Sequence, residues 1–296
     1  MDCLIEIEEA AARIEATGAY RVLRRVDHRD LEGRQPSGVG LRIGLVVDVE
    51  TTGVDASTAK IIEFAARMFW TTADGEIVAV GPLRSWLEYP GFDLPPEIVR
   101  LTGINDDDLV LQRIDDVEVG EMLGSADFIV AHNAGFDRRF VERRFPDLTG
   151  LAWACSCRDI DWAAHGFDGR GLGWLLAQSG LFHDGHRAGA DVDATIAVLR
   201  HILPNGRTVL AEVIETAERP TWHVKAVGAH FDVKDALKGR GYRWDAAATV
   251  WWRDVSDDAL SEERVWLLQN VYRPEFRPRA LEPVVKPISW LTRYAG

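Results

Sequence analysis

Asp48 and Glu50 stand two residues apart in the apolar run GLVVDVETTG, residues 44–53. If that run is a strand, alternation points both carboxylates to one face. Acids are poor strand formers, and two like charges side by side in a half-buried strand repel each other. Such a pair needs a compensating cation, either an arginine or a bound metal; the plainer reading is a strand end whose acids reach water. Two further segments bear on that choice. HNAGFD (132–137) follows a short apolar strand and sets Asp137 at the start of a helix, and HRAGAD (186–191) sets Asp191 at another. Taken singly, each acid is an N-terminal cap or first-turn charge. Taken together, four acids from three separated segments, each at an element end, form an oxygen-ligand cage suited to Mg²⁺ or Mn²⁺.

The elements that carry these residues follow from apolar periodicity. Residues 3–17 read as a helix with Leu4, Ile7, Ala11 and Ile14 on one stripe, 20–26 as a short strand and 31–40 as a Gly-containing linker. A buried strand over 41–50 is followed by strands over 60–71 and 76–89, although the first of these also fits a helix by periodicity. Helices are expected over 96–102 and 115–123, a strand over 127–131, a helix over 136–144, a strand over 151–156, and helices over 172–178 and 191–202. Strands first, then alternating β and α, indicate an α/β mixed sheet flanked by helices. After a helix over 209–217, the C-terminal region reads strand (221–227), helix (233–239), hairpin (242–244 with 249–253) and helix (258–272), then an extended tail carrying Pro274, Pro278, Pro283 and Pro287.

At 296 residues the chain is long enough for two domains, and 47% apolar with 27% charged residues is ordinary globular composition. No apolar run reaches membrane-span length and no signal-peptide pattern opens the chain. Cys3, Cys155 and Cys157 are too few and too irregular for a disulfide framework, which points to a reducing cytoplasm. The net charge of −13, taken alone, argues against nucleic acid as a partner. It is unevenly spread. Residues 216–296 hold 13 Lys and Arg against 11 Asp and Glu, leaving 21 against 36 in residues 1–215. Six of the eleven tryptophans (Trp222, Trp244, Trp251, Trp252, Trp266 and Trp290) also lie in those last residues, so a boundary is expected near residues 218–220.

Asp48-x-Glu50, the 132–137 stretch and His186-x4-Asp191 resemble the three motifs of the DEDDh (DnaQ-like) 3′→5′ exonucleases, a family that includes the proofreading epsilon subunit of bacterial DNA polymerase III. The segment LTGI, residues 101–104, resembles theirs as well, and the resemblance covers about residues 41–204 in order and spacing. It implies a ribonuclease H-like exonuclease fold, a five-stranded mixed sheet flanked by helices, here followed by a small α+β C-terminal domain. The expected division is a helical extension and linker (1–40), the exonuclease domain (41–205), a connecting helix (206–220), the accessory domain (221–273) and the Pro-rich tail (274–296). The resemblance further implies that Asp48, Glu50, Asp137 and Asp191 hold two Mg²⁺ or Mn²⁺ ions astride the terminal phosphodiester, with His186 as general base. An imidazole of ordinary pKa, near ~6.5, suits that work at neutral pH. Five residues of regular helix turn about 500°, so His186 and Asp191 cannot share a face unless residues 188–190 are irregular and His186 sits on a loop. His183 is a rival base at a spacing that does not match the family. By the same resemblance His132 supports the site, and Asn133 is expected to orient it or touch substrate. Backbone amides at Thr51, Thr52 and Gly53 approach the terminal nucleotide, and Leu101 and Phe136 pack against the terminal bases or belong to the core.

The implied activity is metal-dependent release of nucleoside 5′-monophosphates from DNA, single-stranded 3′ ends preferred. The alternatives are a 3′→5′ exoribonuclease resembling ribonuclease T or oligoribonuclease, and a catalytically silent nucleic-acid-binding or scaffold module. Implied partners are DNA, RNA in the first alternative, and a DNA polymerase or other replication or repair protein, with no membrane. Weaker signals remain. QSGLF (178–182) resembles a clamp-binding peptide but reads better as a helix end whose Leu181 and Phe182 enter the core. Cys155 and Cys157 are too close for a zinc pair, and Arg24 and Arg25 read as a solvated face. Between 219 and 243, six Lys and Arg stand against two Asp among aromatic residues. That mixture suits single-stranded nucleic acid, unless Trp244 and Trp251 or Trp252 simply fill a small core.

Overall fold

A computed structural model describes residues 2–34, 36–148 and 150–295; the side chains of Cys3 and Leu4 lie outside the described residues. The chain divides into two compact units, one of residues 1–216 with 294–296 and one of residues 217–293. The first begins with α1 (Asp2–Glu15), β1 (Arg24–Arg25), β2 (Arg42–Thr51), β3 (Ile61–Thr71), β4 (Ile77–Val80) and β5 (Arg84–Leu87). Then come α2 (Pro96–Thr102), α3 (Asp106–Leu109), α4 (Asp116–Ser125), β6 (Phe128–Ala131), α5 (Ala134–Arg144) and β7 (Trp153–Cys155). It continues with α6 (Leu172–Gln178), β8 (Leu181–Phe182) and α7 (Ala188–Arg200); α8 (Val209–Glu218) runs through the division.

The main sheet has the order β4-β3-β2-β6-β7, with β5 also beside β3. β2 and β3 are antiparallel, whereas β2–β6 and β6–β7 are parallel, joined through helices. The expected strand over 76–89 is broken in two: β4 pairs with one end of β3 and β5 with the other, so five positions hold six strands. β3 is buried almost throughout, which erases the alternation that would have distinguished it from a helix. Close packing of β2 on β3 depends on Gly44, where a Cβ would lie 2.1 Å from the Phe69 ring. That ring meets Phe128 of β6 edge-on at 5.7 Å, carrying the core across three strands.

Two charged ties seat α7 on β3. Buried Arg67 donates to Asp193 of α7 at 2.7 Å and to Gly81 O at 2.9 Å, and also pairs with Glu32. Four residues along the same strand, buried Glu63 accepts from the Ala188 amide at 3.1 Å and from Arg187 at 3.0 and 3.1 Å. Each tie sets a buried charge against a partner that reaches water, and losing that partner would leave the buried charge unpaired, so both hold the start of α7 on β3. At the N-terminus, Arg24 pairs with Glu8 and Arg25 with Asp184. Leu181 and Phe182 do not enter the core as expected: they form β8 alongside β1, with Phe182 beneath the Arg25 guanidinium at 4.8 Å. On the α1 stripe Ala11 is buried, while Ile7 and Ile14 are exposed.

The second unit contains β9 (Thr221–Ala226), a 3-10 turn at 231–233, α9 (Lys234–Gly239), β10 (Arg243–Asp245), β11 (Val250–Ser256), α10 (Leu260–Asn270) and β12 (Val284–Ile288). Its sheet is antiparallel with the order β10-β11-β9-β12. The proline-bearing tail is therefore not merely extended. Residues 284–288 form an edge strand, where Pro287 can lack an N–H without breaking a ladder on both sides. Val224, Ala226, Leu237 and Leu267 form the core, with buried Glu263 accepting from Tyr242 Oη at 3.0 Å, Arg240 Nε at 3.1 Å and Arg253 at 3.2 Å.

Candidate active site

β2 delivers Asp48 and Glu50 to one face, and the Val49 amide between them donates to Asp137 Oδ1 at 3.2 Å. That bond fixes the first turn of α5 against β2. Asp191, in the first turn of α7, completes the group: one oxygen from each of Asp48, Glu50 and Asp191 can lie within 4.8 Å of the others. Asp137 stands beside this trio with one oxygen committed to Val49, and it is only 2% exposed.

The electrostatics are those of an unneutralised cluster. Burial, then the charges of Asp137, Asp191 and Glu50, raise the Asp48 pKa well above the carboxylate range. Burial raises Glu50 to about 7, with Asp191 and Glu63 adding repulsion and Arg187 opposing it. Asp137 rises to about 8, mainly through burial, against the lowering effect of the Val49 hydrogen bond. The neighbouring arginine does not resolve this repulsion, because Arg187 is committed to Glu63, the cross-strand partner of Glu50. Of the two compensating cations considered from sequence, the arginine is thus engaged one position away. A compact set of hard oxygen donors, with the pKa values of Asp48, Glu50 and Asp137 raised, fits a divalent cation. Glu63 itself escaped the sequence reading. Its signal was a lone acid in the apolar run of β3, where burial on both faces hid its direction.

The histidines divide the surroundings of Asp191. His183 Nε2 donates to Asp191 Oδ1 at 2.7 Å, and the His186 amide donates to Asp191 Oδ2 at 2.9 Å. His186 lies on a loop, as expected, with its side chain exposed. Residues 188–190 are not irregular, however; α7 already begins at Ala188. The change of direction falls on His186 itself, whose φ of 65° is left-handed backbone, disfavoured for a residue with a Cβ. His132 donates through Nε2 to Arg170 O at 2.9 Å, so its Nδ1 accepts from Ser156 Oγ at 2.9 Å. Burial lowers its pKa to about 4, leaving a neutral ring that braces the 156 and 170 segments.

Asn133 occupies the N-cap position of α5 with φ 80°, and its side chain accepts from Arg158 at 3.4 Å. The Thr52 amide is committed to Lys60 O at 2.9 Å, closing the turn after β2, and Thr51 Oγ1 donates to Gly53 O at 2.6 Å. Leu101 is half exposed on α2, whereas Phe136 packs against Phe140 at 5.0 Å on the edge of the core.

Sequence comparison bears on the same stretch. The model of the exonuclease family matches residues 45–199, just over half of the chain and all four acids. The chain belongs to the exonuclease family. It is 32% identical over 112 residues to ribonuclease T of Shewanella frigidimarina, covering 33% of this chain and 51% of that protein. It is 34% identical over 111 residues to the PolC-type DNA polymerase III of Thermotoga petrophila, covering 37% of this chain and 8% of that polymerase. The chain therefore spans about half the length of the first relative and under a tenth of the second. The crystal structure of E. coli exonuclease I with a dA16 oligonucleotide superposes with a TM-score of 0.52 at 16% identity, over 85% of this chain and 64% of that one. At that identity the likeness is one of fold. Among the described residues, no helix of the chain is long and apolar enough to cross a membrane.

The raised pKa values make a stability prediction for this family member. In the metal-free fold Glu50 titrates near 7 and Asp137 near 8, against about 4 when unfolded. The folded chain holds the extra protons, so the contribution is full below about pH 4 and is lost as pH rises through about 8. In EDTA, the thermal midpoint of the wild-type chain relative to a Glu50→Gln/Asp137→Asn variant should fall steadily from pH 5 to 8. Mn²⁺ should restore it most at the alkaline end, because deprotonated carboxylates bind metal. A wild-type midpoint that gains on the variant across that window contradicts the electrostatic picture.

Proposed function

We propose that this chain is a metal-dependent 3′→5′ exonuclease that removes nucleotides one at a time from DNA, with single-stranded 3′ ends preferred. The observation that carries the reading is the trio Asp48, Glu50 and Asp191, brought within 4.8 Å of one another while Arg187 is held by Glu63. Asp48, Glu50, Asp137 and Asp191 would hold Mg²⁺ or Mn²⁺. When bound, such ions lower the pKa of water and stabilise charge on the attacking and leaving oxygens. His186 takes the proton of the attacking water from its loop, while His183 and the His186 amide hold the two oxygens of Asp191 in place. A water oxygen bonds to phosphorus, the bond from phosphorus to the 3′ oxygen of the shortened strand breaks, and that oxygen regains a proton. The products are a nucleoside 5′-monophosphate and a strand with a 3′-hydroxyl. Likeness to a DNA polymerase supports DNA as substrate and a polymerase or repair protein as partner; likeness to a ribonuclease T supports the exoribonuclease alternative.

The test is digestion of 5′-end-labelled single-stranded DNA and RNA with Mg²⁺ or Mn²⁺. Stepwise shortening of the DNA from its 3′ end, abolished by EDTA, is expected. Faster shortening of RNA would shift the assignment to the exoribonuclease, and no shortening of either strand would reject an exonuclease.

A further inference from the structure

A cleft of about 900 Å³ in the C-terminal unit takes no part in the hydrolysis described above. Its walls are the end of β9 with the following turn, the β10–β11 hairpin, and the segment that leads into β12. The volume is ample for a nucleotide. Two large rings that a small domain would ordinarily bury are left in water there: Phe231 is 71% exposed and Trp244 is 51% exposed. Trp251, which does pack against the core, supports Trp244 with ring centroids 5.5 Å apart.

Charge sharpens the chemistry. Lys234 Nζ lies 4.0 Å from the centre of the Phe231 ring, and Arg279 enters from the opposite segment. That segment is seated closely, with the Arg279 amide donating to Gly228 O at 2.8 Å. Gly228 has φ +65°, and a Cβ there would lie 2.6 Å from Ala280 N, so glycine is required for the approach. Among the described residues no Asp or Glu lines the cleft, and Asp232 of the adjoining turn pairs with His230 at 3.3 Å. In a chain of net charge −13, a recess with exposed aromatic faces, two cations and no carboxylate is complementary to a base and its phosphates.

We propose that this cleft binds a nucleotide of single-stranded nucleic acid, its base against Phe231 and Trp244 and its phosphates against Lys234 and Arg279. The inference rests on the exonuclease reading for its choice of a strand over a free nucleotide, since a site that consumes strands shares the chain. It gives that substrate a second hold, distinct from the four carboxylates.

The test is binding of a fluorescently labelled oligothymidylate to the full-length chain in EDTA, where no turnover intervenes. A Phe231→Ala/Trp244→Ala variant should bind at least about fivefold more weakly, the lower end of what one stacked base contributes. A Lys234→Gln/Arg279→Gln variant should flatten the dependence of log affinity on log salt by about 1.4, at about 0.7 per phosphate contact. Phe231 and Arg279 are exposed, so single changes there test the same point should a double variant fold poorly. Affinity and salt slope both unaltered would overturn the proposal. So would thymidine 5′-monophosphate binding the cleft as tightly as the oligonucleotide. Wild-type digestion reads the exonuclease assignment separately: a chain that binds through this cleft but digests nothing keeps this inference and loses that one.

Discussion

Replacing Asp48 or Asp191 by asparagine should lower mononucleotide release by on the order of 10³ or more, the rate equivalent of several kcal/mol of lost charge stabilisation at 1.36 kcal/mol per tenfold. Size and shape are nearly kept, so the loss reads charge and ligation. The Asp48 substitution makes a second, opposite prediction that excludes misfolding as the cause. Asp48 is surrounded by Asp137, Asp191 and Glu50, all of which raise its pKa in the metal-free fold. An asparagine adds no charge to the cluster and needs no proton to stay neutral, so Asp48→Asn protein in EDTA at pH 8 should melt at or above the wild-type temperature. Adding Mn²⁺ should then stabilise the wild type and leave the variant nearly unmoved. Digestion retained within tenfold in either variant would remove these residues from the reaction and with them the proposed mechanism.

How much of this site was legible depended on how far each residue's signal departs from what burial alone would choose. Asp48 and Glu50 were visible because carboxylates interrupt an otherwise apolar central strand, and nothing in strand propensity places them there. Glu63 is as deeply involved yet stayed hidden, because β3 is apolar on both faces and one acid in it could point either way. The spacing of His186 and Asp191 required a break from regular helix, but the place expected for it, residues 188–190, is helical. One left-handed residue at His186 takes up the change of direction expected of those three, and spacing alone does not reveal a single-residue turn. In the C-terminal unit, the four prolines announced an extended tail but concealed β12, whose partner β9 lies about 60 residues away and supplies the register that local sequence cannot. The net charge misled for a related reason. It averages a carboxylate cluster suited to cations with a cleft suited to phosphates, and both sites are local.

The two histidines around Asp191 should separate cleanly in kinetics. His186→Ala is expected to lower kcat by about 10²–10⁴, the range for loss of a positioned general base, with little change in the metal concentration giving half-maximal rate. The reason is geometric. Only the main chain of His186 touches Asp191, and alanine keeps that amide, while the exposed ring is what the substitution removes. His183→Ala removes instead the donor to Asp191 Oδ1, a bond of 2.7 Å that orients a proposed metal ligand. Loss of such a supporting partner costs about 10–100-fold in metal affinity, so this variant should need more Mn²⁺ and recover most of its rate when given it. Metal titrations of the two variants under single-turnover conditions make the comparison. If His183→Ala stays slow at saturating Mn²⁺ while His186→Ala is nearly as fast as wild type, the roles are exchanged and the base is the ring already lying on Asp191. If both recover fully with metal, neither imidazole moves the proton, and the water must lose it to solvent.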